Sequence, residues 1–157
     1  MSMWRPSTTA ILITGVLVVV IAAAVAFMVT TFRPTASVKL GGGAFSLWIA
    51  KDEPSRITGL SGVDSLKPNG GLLMAFATDE TWGIWMKDMK VPLDIIWLNE
   101  AKEVVYIVKN ASPELGETKT FQPKTASRYV IELPAGSVQK YNINVGHRAE
   151  FDIEGVK

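Results

Sequence analysis

The sequence predicts a β-rich α+β domain preceded by one transmembrane helix, and three observations carry that prediction. Residues 10–29 form an uncharged run in which only Thr14 and Gly15 fall outside the apolar set. Beyond Val38 the pattern changes to short apolar runs broken by Gly, Pro, Asn and Asp, the spacing of strands rather than of long helices. A composition of 48% hydrophobic and 20% charged residues is enough to bury a core and excludes a disordered chain.

Taken in order, residues 1–9 form a short tail and residues 10–32 the membrane helix. At about 1.5 Å per residue this run covers the roughly 30 Å hydrocarbon core. The rival reading is a cleaved signal peptide, because Ala24-Val25-Ala26 has the small-x-small form of a cleavage site. The flanking charges, Arg5 on one side and Arg33 and Lys39 on the other, specify orientation weakly. A short tail before a folded domain fits a signal anchor, single-pass, with the C-terminal domain outside the cytoplasm. Residues 33–37 then serve as a linker and residues 38–157 as the domain.

Within the domain, strands are expected over Val38–Gly42, Phe45–Ala50, Leu72–Phe76, Trp82–Met86, Leu93–Leu98, Val104–Val108, Arg128–Leu133 and Ala149–Ile153. Asn99 to Lys102 joins two of them as a hairpin. One short helix opens near Asp52, with Pro54 in its first turn and Ile57 and Leu60 facing inward. A second runs over Ala135–Tyr141, with Asn142 as a left-handed cap. The strands are expected to curl into a small barrel or a strongly bent, mainly antiparallel sheet. Asn110–Ser127 lacks apolar periodicity and reads as a functional lid or a disordered excursion.

Composition removes several chemistries. The 16 basic and 15 acidic residues leave a net charge of +1, which argues against a nucleic-acid partner. With Arg5 and Arg33 set aside, the remaining 14 basic residues face 15 acidic ones, all from Asp52 onward. The absence of cysteine excludes disulfides, thiolate metal sites and thiol nucleophiles. The lone His147 excludes sites needing two imidazoles. No cofactor is implied.

The densest chemical feature is Trp82 to Trp97, which holds three of the five tryptophans. Strand alternation puts Trp85 and Lys87 on one face and Trp82, Ile84 and Met86 on the other. A ring beside an ammonium is a receptor for a sugar-like polar ligand or an anion; the structural alternative is a core tryptophan with a lysine at its rim. Asp94 opens a strand that is apolar on both faces, so its carboxylate must be paired, hydrogen-bonded or protonated. Lys87 and Arg128 are its candidate partners, in a ligand site or in a buried ion pair that specifies the fold. Tyr129, Ile131 and Leu133 are expected to face inward, and Arg128, Val130 and Glu132 to share the opposite face. Glu132 could therefore join Asp94 in a carboxylate pair of the kind used in glycoside hydrolysis. Gly41-Gly42-Gly43 reads as a hairpin turn rather than a phosphate cradle.

These residues together resemble one family. Gly59-Leu60-Ser61-Gly62 with Leu66, then Gly70 to Phe76, Trp85 to Leu98, Arg128 to Gly136, and Val145-Gly146 match the order of the domain of unknown function 192. The block Trp85-Met86-Lys87 followed by Pro92-Leu93-Asp94-Ile95-Ile96 is the most diagnostic part. The resemblance implies a β-rich α+β domain, often exported or membrane-anchored, and leaves the activity open. It also implies Met where Ser61 stands, Asn where Asp88 stands and Thr where Met89 stands; the added charge of Asp88 would neutralise Lys87. Gly is frequent where Asn142 stands.

The leading expectation is a domain anchored in the bilayer through residues 10–32 that binds a small polar ligand or envelope component through Trp85, Lys87, Asp94 and Arg128. The alternatives are a hydrolase using Asp94 and Glu132, and a scaffold for another membrane protein that presents the Asn110–Ser127 loop.

Overall fold

The computed structural model describes residues 16–22 and 33–153. The chain divides into two units, Met1–Arg33 and Pro34–Lys157. In the first, residues 16–22 are helical, and Val16 to Ile21 are 53–67% exposed. Among the described residues no helix is long and apolar enough to cross a membrane. Most of the expected span over residues 10–32, and the Ala24-Val25-Ala26 site, lie outside the described residues.

In the second unit, β1 (Thr35–Leu40), β2 (Gly43–Ala50), α1 (Glu53–Thr58), β3 (Gly70–Glu80), β4 (Ile84–Trp85), β5 (Leu93–Leu98) and β6 (Val104–Ala111) follow in order. A 3-10 turn over Pro113–Leu115, β7 (Thr120–Phe121), β8 (Ser127–Pro134) and α2 (Ser137–Lys140) complete it. Six strands form one sheet in the order β1-β2-β3-β8-β5-β6, and β4 pairs with β7 separately. β2 and β3 run parallel, joined through α1. The other pairs are antiparallel. The class is therefore the expected β-rich α+β one, with a mixed sheet.

Alternating side chains split the core into two layers. Val38, Leu47, Leu73, Ile96, Ile131 and Leu133 face one side, under α2, Ile143 and Phe151. Leu72, Met74, Ile95, Trp97 and Val130 face the other, under Leu60, Ile84, Met86 and Phe121. The hairpins at Gly41 and Asn99–Lys102 stand as expected, with Gly41 and Lys102 at positive φ.

Several expectations are corrected. The sheet does not close into a barrel: β1 and β6 are its edges. The segment expected as a strand over Ala149–Ile153 crosses from one edge toward the other, so it makes only the single bridges Lys39↔Glu150 and, just before it, Glu103↔Arg148. The expected linker over residues 33–37 is largely strand, because β1 begins at Thr35 and buries Ala36.

α1 has its Asp52 cap, whose carboxylate accepts from the Ser55 N–H at 2.9 Å. However, the helix stops at Thr58 before Gly59, so Leu60 leaves it and is buried while Ile57 is 57% exposed. α2 is shorter than expected, and Asn142 is left-handed at φ 50. The strand expected over Trp82–Met86 shrinks to β4. The Asn110–Ser127 segment is built rather than structureless: it contains the end of β6, the 3-10 turn and β7, anchored by buried Ala111 and Phe121.

Candidate functional site

Glu132 lies in β8, a central strand, directly between Leu72 of β3 and Ile95 of β5. Partners in antiparallel register share a face, so its carboxyl points into the layer of Leu72, Ile95 and Val130. The residue is 3% exposed, and its Oε2 has no hydrogen-bond partner among the described residues. Burial without a compensating charge pushes its pKa up to about 8, so the carboxyl holds its proton at neutral pH. The strands approach closely here: a Cβ at Gly71 would lie 2.1 Å from the Glu132 carbonyl oxygen.

Glu132 lines a cleft of about 380 Å³ whose walls come from α1, β3 and the β4 region. Met74 and Phe76 project from β3 on the face of Leu72. Phe76 stacks on Trp82 with centroids 4.1 Å apart and planes 12° off parallel. Trp82 is fixed at both ends, its Nε1 donating to the Thr78 carbonyl at 3.2 Å and its own carbonyl accepting from Trp97 Nε1 at 2.8 Å. Arg56 of α1 lies across the Phe76 ring, Cζ 4.9 Å from the centroid. Its Nη1 donates to the Lys51 and Ala75 carbonyls at 2.7 and 3.0 Å.

The expected site residues separate into two groups. Trp85 and Lys87 do line the cleft, with Lys87 Nζ 5.7 Å from the Trp85 ring. Lys87 pairs with Glu117 at 2.5 Å. That hydrogen bond raises its pKa, with Asp88 the smallest contributor, so the neutralising charge is Glu117 rather than the expected Asp88. Asp88 itself adopts φ 53, a conformation Asn and Asp tolerate best after Gly.

Asp94 and Arg128 do not join the cleft. Asp94 is 1% exposed and pairs in register with Leu133, on the opposite face from Glu132. Its partners are neither Lys87 nor Arg128 but two backbone groups: Oδ1 accepts from the Asn110 N–H at 2.9 Å and Oδ2 from the Val138 N–H at 2.8 Å. It ties β6 and α2 to β5. Arg128 sits four residues from Glu132, near the end of β8, where it pairs with Asp79 at 2.6 Å and Glu100 at 3.4 Å. The expected Asp94–Glu132 carboxylate pair therefore does not assemble, because adjacent strands place the two on opposite faces of the sheet.

With the geometry in place, known proteins bear on it. The family model DUF192, described as "Uncharacterized ACR", matches residues 36–151. The chain belongs to the DUF192 family. The UPF0127 protein PF1050 of Pyrococcus furiosus is 31% identical over 64 residues, 41% of this chain and 51% of that protein. A UPF0127 protein of Thermococcus sibiricus is 31% identical over 71 residues, 45% of this chain and 43% of that protein. The matched stretch thus spans about half the length of these relatives.

A crystal structure of a proposed transcription regulator from Sinorhizobium meliloti 1021 superposes with TM-score 0.72 at 25% identity, covering 76% of this chain and 95% of that one. A protein of unknown function from Novosphingobium aromaticivorans DSM 12444 superposes with TM-score 0.68 at 22% identity, covering 75% and 84%; that likeness shows the fold alone.

For this DUF192 domain, sequence reasoning missed Arg56, Phe76 and Trp82 as parts of one wall. Sequence reasoning turned Tyr129, Ile131 and Leu133 inward and Glu132 away from the core, whereas the sheet is covered on both faces, so Glu132 is buried beside Val130. Among the described residues no group of three or more His, Asp or Glu side chains is placed to hold a metal ion.

Proposed function

We propose that the domain binds a small amphipathic molecule in the Glu132 cleft, its apolar body against Phe76 and Trp82 and a polar group at Glu132. The observation that carries this reading is the unpartnered Oε2 of a 3%-exposed glutamate lining an aromatic-walled cleft. A buried polar atom without a partner is rare and destabilising, and a ligand supplies the missing partner. Trp85 and Lys87 stand at the exposed side of the same cleft, which retains half of the site expected from sequence.

A thermal-denaturation screen against sugars, nucleotides, amino acids and small organic acids tests this. A ligand at 100 times its dissociation constant stabilises by about 2.7 kcal/mol. A rise in midpoint that Glu132→Leu removes while still folding supports the reading. No rise across the panel refutes it.

The reading extends to location: residues 10–32 anchor the domain in the bilayer and hold it outside the cytoplasm. The uncharged apolar run over residues 10–29 supports this, as do the exposed apolar side chains of Val16 to Ile21. Extraction of the chain from membranes at alkaline pH, or failure of protease to reach the domain in cells stripped of their outer layers, would count against it.

A further inference from the structure

Building on the cleft as a ligand site, we infer that its ligand is an elongated organic monoanion, with its negative group at Arg56 and a hydrogen-bond-accepting oxygen at Glu132. Four charged residues line the cleft: Glu53, Arg56, Lys87 and Glu132. Lys87 is held by Glu117, and Glu53 is exposed and makes no ion pair among the described residues. Arg56 is half-buried and makes no ion pair within 4 Å among them, the Asp52 carboxylate feeling its charge only at longer range. Only its Nη1 makes side-chain hydrogen bonds there, which leaves the Nε and Nη2 donors for an anion. The two bonds at Nη1 hold the guanidinium in place before any ligand arrives, as anion recognition by a planar fork requires.

The aromatic walls of the cleft are unsuited to a cationic group. Aromatic faces would receive a cation, but Arg56 already lies over Phe76 and Lys87 over Trp85. A ligand ammonium would meet both positive charges. At the other end, burial keeps Glu132 protonated at neutral pH, with a pKa of about 8, so the carboxyl donates rather than accepts. An acceptor oxygen on the ligand satisfies it.

The length of the ligand follows from the sheet. Glu132 is opposite Leu72, whereas Arg56 lies over Phe76, four residues along the same strand. At about 3.3 Å per residue the two ends are roughly 13 Å apart along β3. The span between them is apolar, with Met74 and the Phe76–Trp82 stack along it. A planar ring with a short acidic arm and an oxygen at the far end matches that order.

Four matched probes test this by tryptophan fluorescence on the 157-residue chain. They are 3-(4-methoxyphenyl)propionate, whose far oxygen only accepts, its amide, 2-(4-methoxyphenyl)ethylamine, and 3-phenylpropionate, which lacks the far oxygen. The first is expected to bind at least about tenfold more tightly than its amide, and to exceed the amine by a wider margin. It should lose its advantage over 3-phenylpropionate in Glu132→Leu, which has no donor, and in the unmodified chain as pH rises from about 6 to about 9.5. Arg56→Gln should erase the preference for the acid over the amide.

Equal binding of acid and amide, tighter binding of the amine, or no binding of any probe overturns the inference. If the screen above nevertheless finds a ligand sensitive to Glu132→Leu, the cleft stands as a site and only the ligand class falls. The probe comparison and the pH series need no variant, so they decide the matter even where a variant misfolds.

Discussion

Replacing Glu132 by Gln keeps the side-chain shape and removes its ionisable proton, and the consequence for stability follows from its burial. In the folded chain the carboxyl holds its proton to about pH 8, against an ordinary value of 4.5. Between those limits unfolding releases a proton, so ionisation favours the unfolded chain and stability falls as pH rises. Below 4.5 both states are protonated and the effect vanishes; above about 8 it is complete. The interval is about 3.5 pH units, which at about 1.4 kcal/mol per unit amounts to roughly 5 kcal/mol. That figure is an upper limit, since water admitted to the cleft would lower it. Urea denaturation of both chains at matched pH isolates this residue from every other titrating group. The stability of the native chain minus that of the Gln variant should fall by several kcal/mol between about pH 4.5 and about pH 8, then level off. Parallel stability curves for the two chains would show that Glu132 ionises normally, and the reading of the cleft floor as a neutral acid would fail.

Other outcomes follow from the same geometry. Asp94→Ala leaves the Asn110 and Val138 N–H groups without their acceptor and should cost about 2–5 kcal/mol in urea denaturation, while ligand binding by the remaining folded protein is unchanged. Gly71→Ala drives a Cβ to 2.1 Å from the Glu132 carbonyl; separating β3 from β8 should destabilise by more than about 2 kcal/mol, and a variant of native stability would contradict that packing. Lys87→Ala removes an ion pair whose side chains are 45% and 59% exposed and a solvent-side contact with the Trp85 ring, so the thermal midpoint should move by less than a stability change of about 1 kcal/mol implies. A large drop would mean that the Lys87–Glu117 pair holds the loop onto β4.

Period and turn chemistry made much of the fold legible before the structure. The alternation of Arg128 to Leu133 placed Glu132 with Val130 on one face and Tyr129, Ile131 and Leu133 on the other, as the two core layers have it. The Gly41 and Asn99–Lys102 turns were readable because positive φ at those positions suits few residues. Register was not readable. It depends on which strands become neighbours, and that decides whether two carboxylates meet. Asp94 was recognisable as buried and Glu132 was not, and the offset of one residue between Asp94↔Leu133 and Ile95↔Glu132 sends them to opposite faces. The site was legible only in part for the same reason. Trp85 and Lys87 lie within one contiguous block, whereas Arg56, Phe76 and Glu132 come from α1, β3 and β8 and meet only through the sheet order. Ile57 was misassigned because a helix of six residues is too short for its periodicity to bind it to one face.

The contrast between the two buried carboxyls bears directly on function. Asp94 shows how this fold satisfies a carboxylate it uses structurally: each oxygen receives a backbone N–H, and the residue links three elements. Glu132, one strand away and equally central, has no such provision at Oε2, although an apolar residue there would fill the layer between Leu72 and Ile95 without penalty. Net stabilities of domains are only about 5–15 kcal/mol, so a glutamate that withholds several of them near neutral pH is a heavy burden for a purely structural position. The burden is lifted if something else completes its hydrogen bonding. The cleft that opens onto Glu132, walled by a stacked aromatic pair and an arginine already fixed in place, is where that partner would enter.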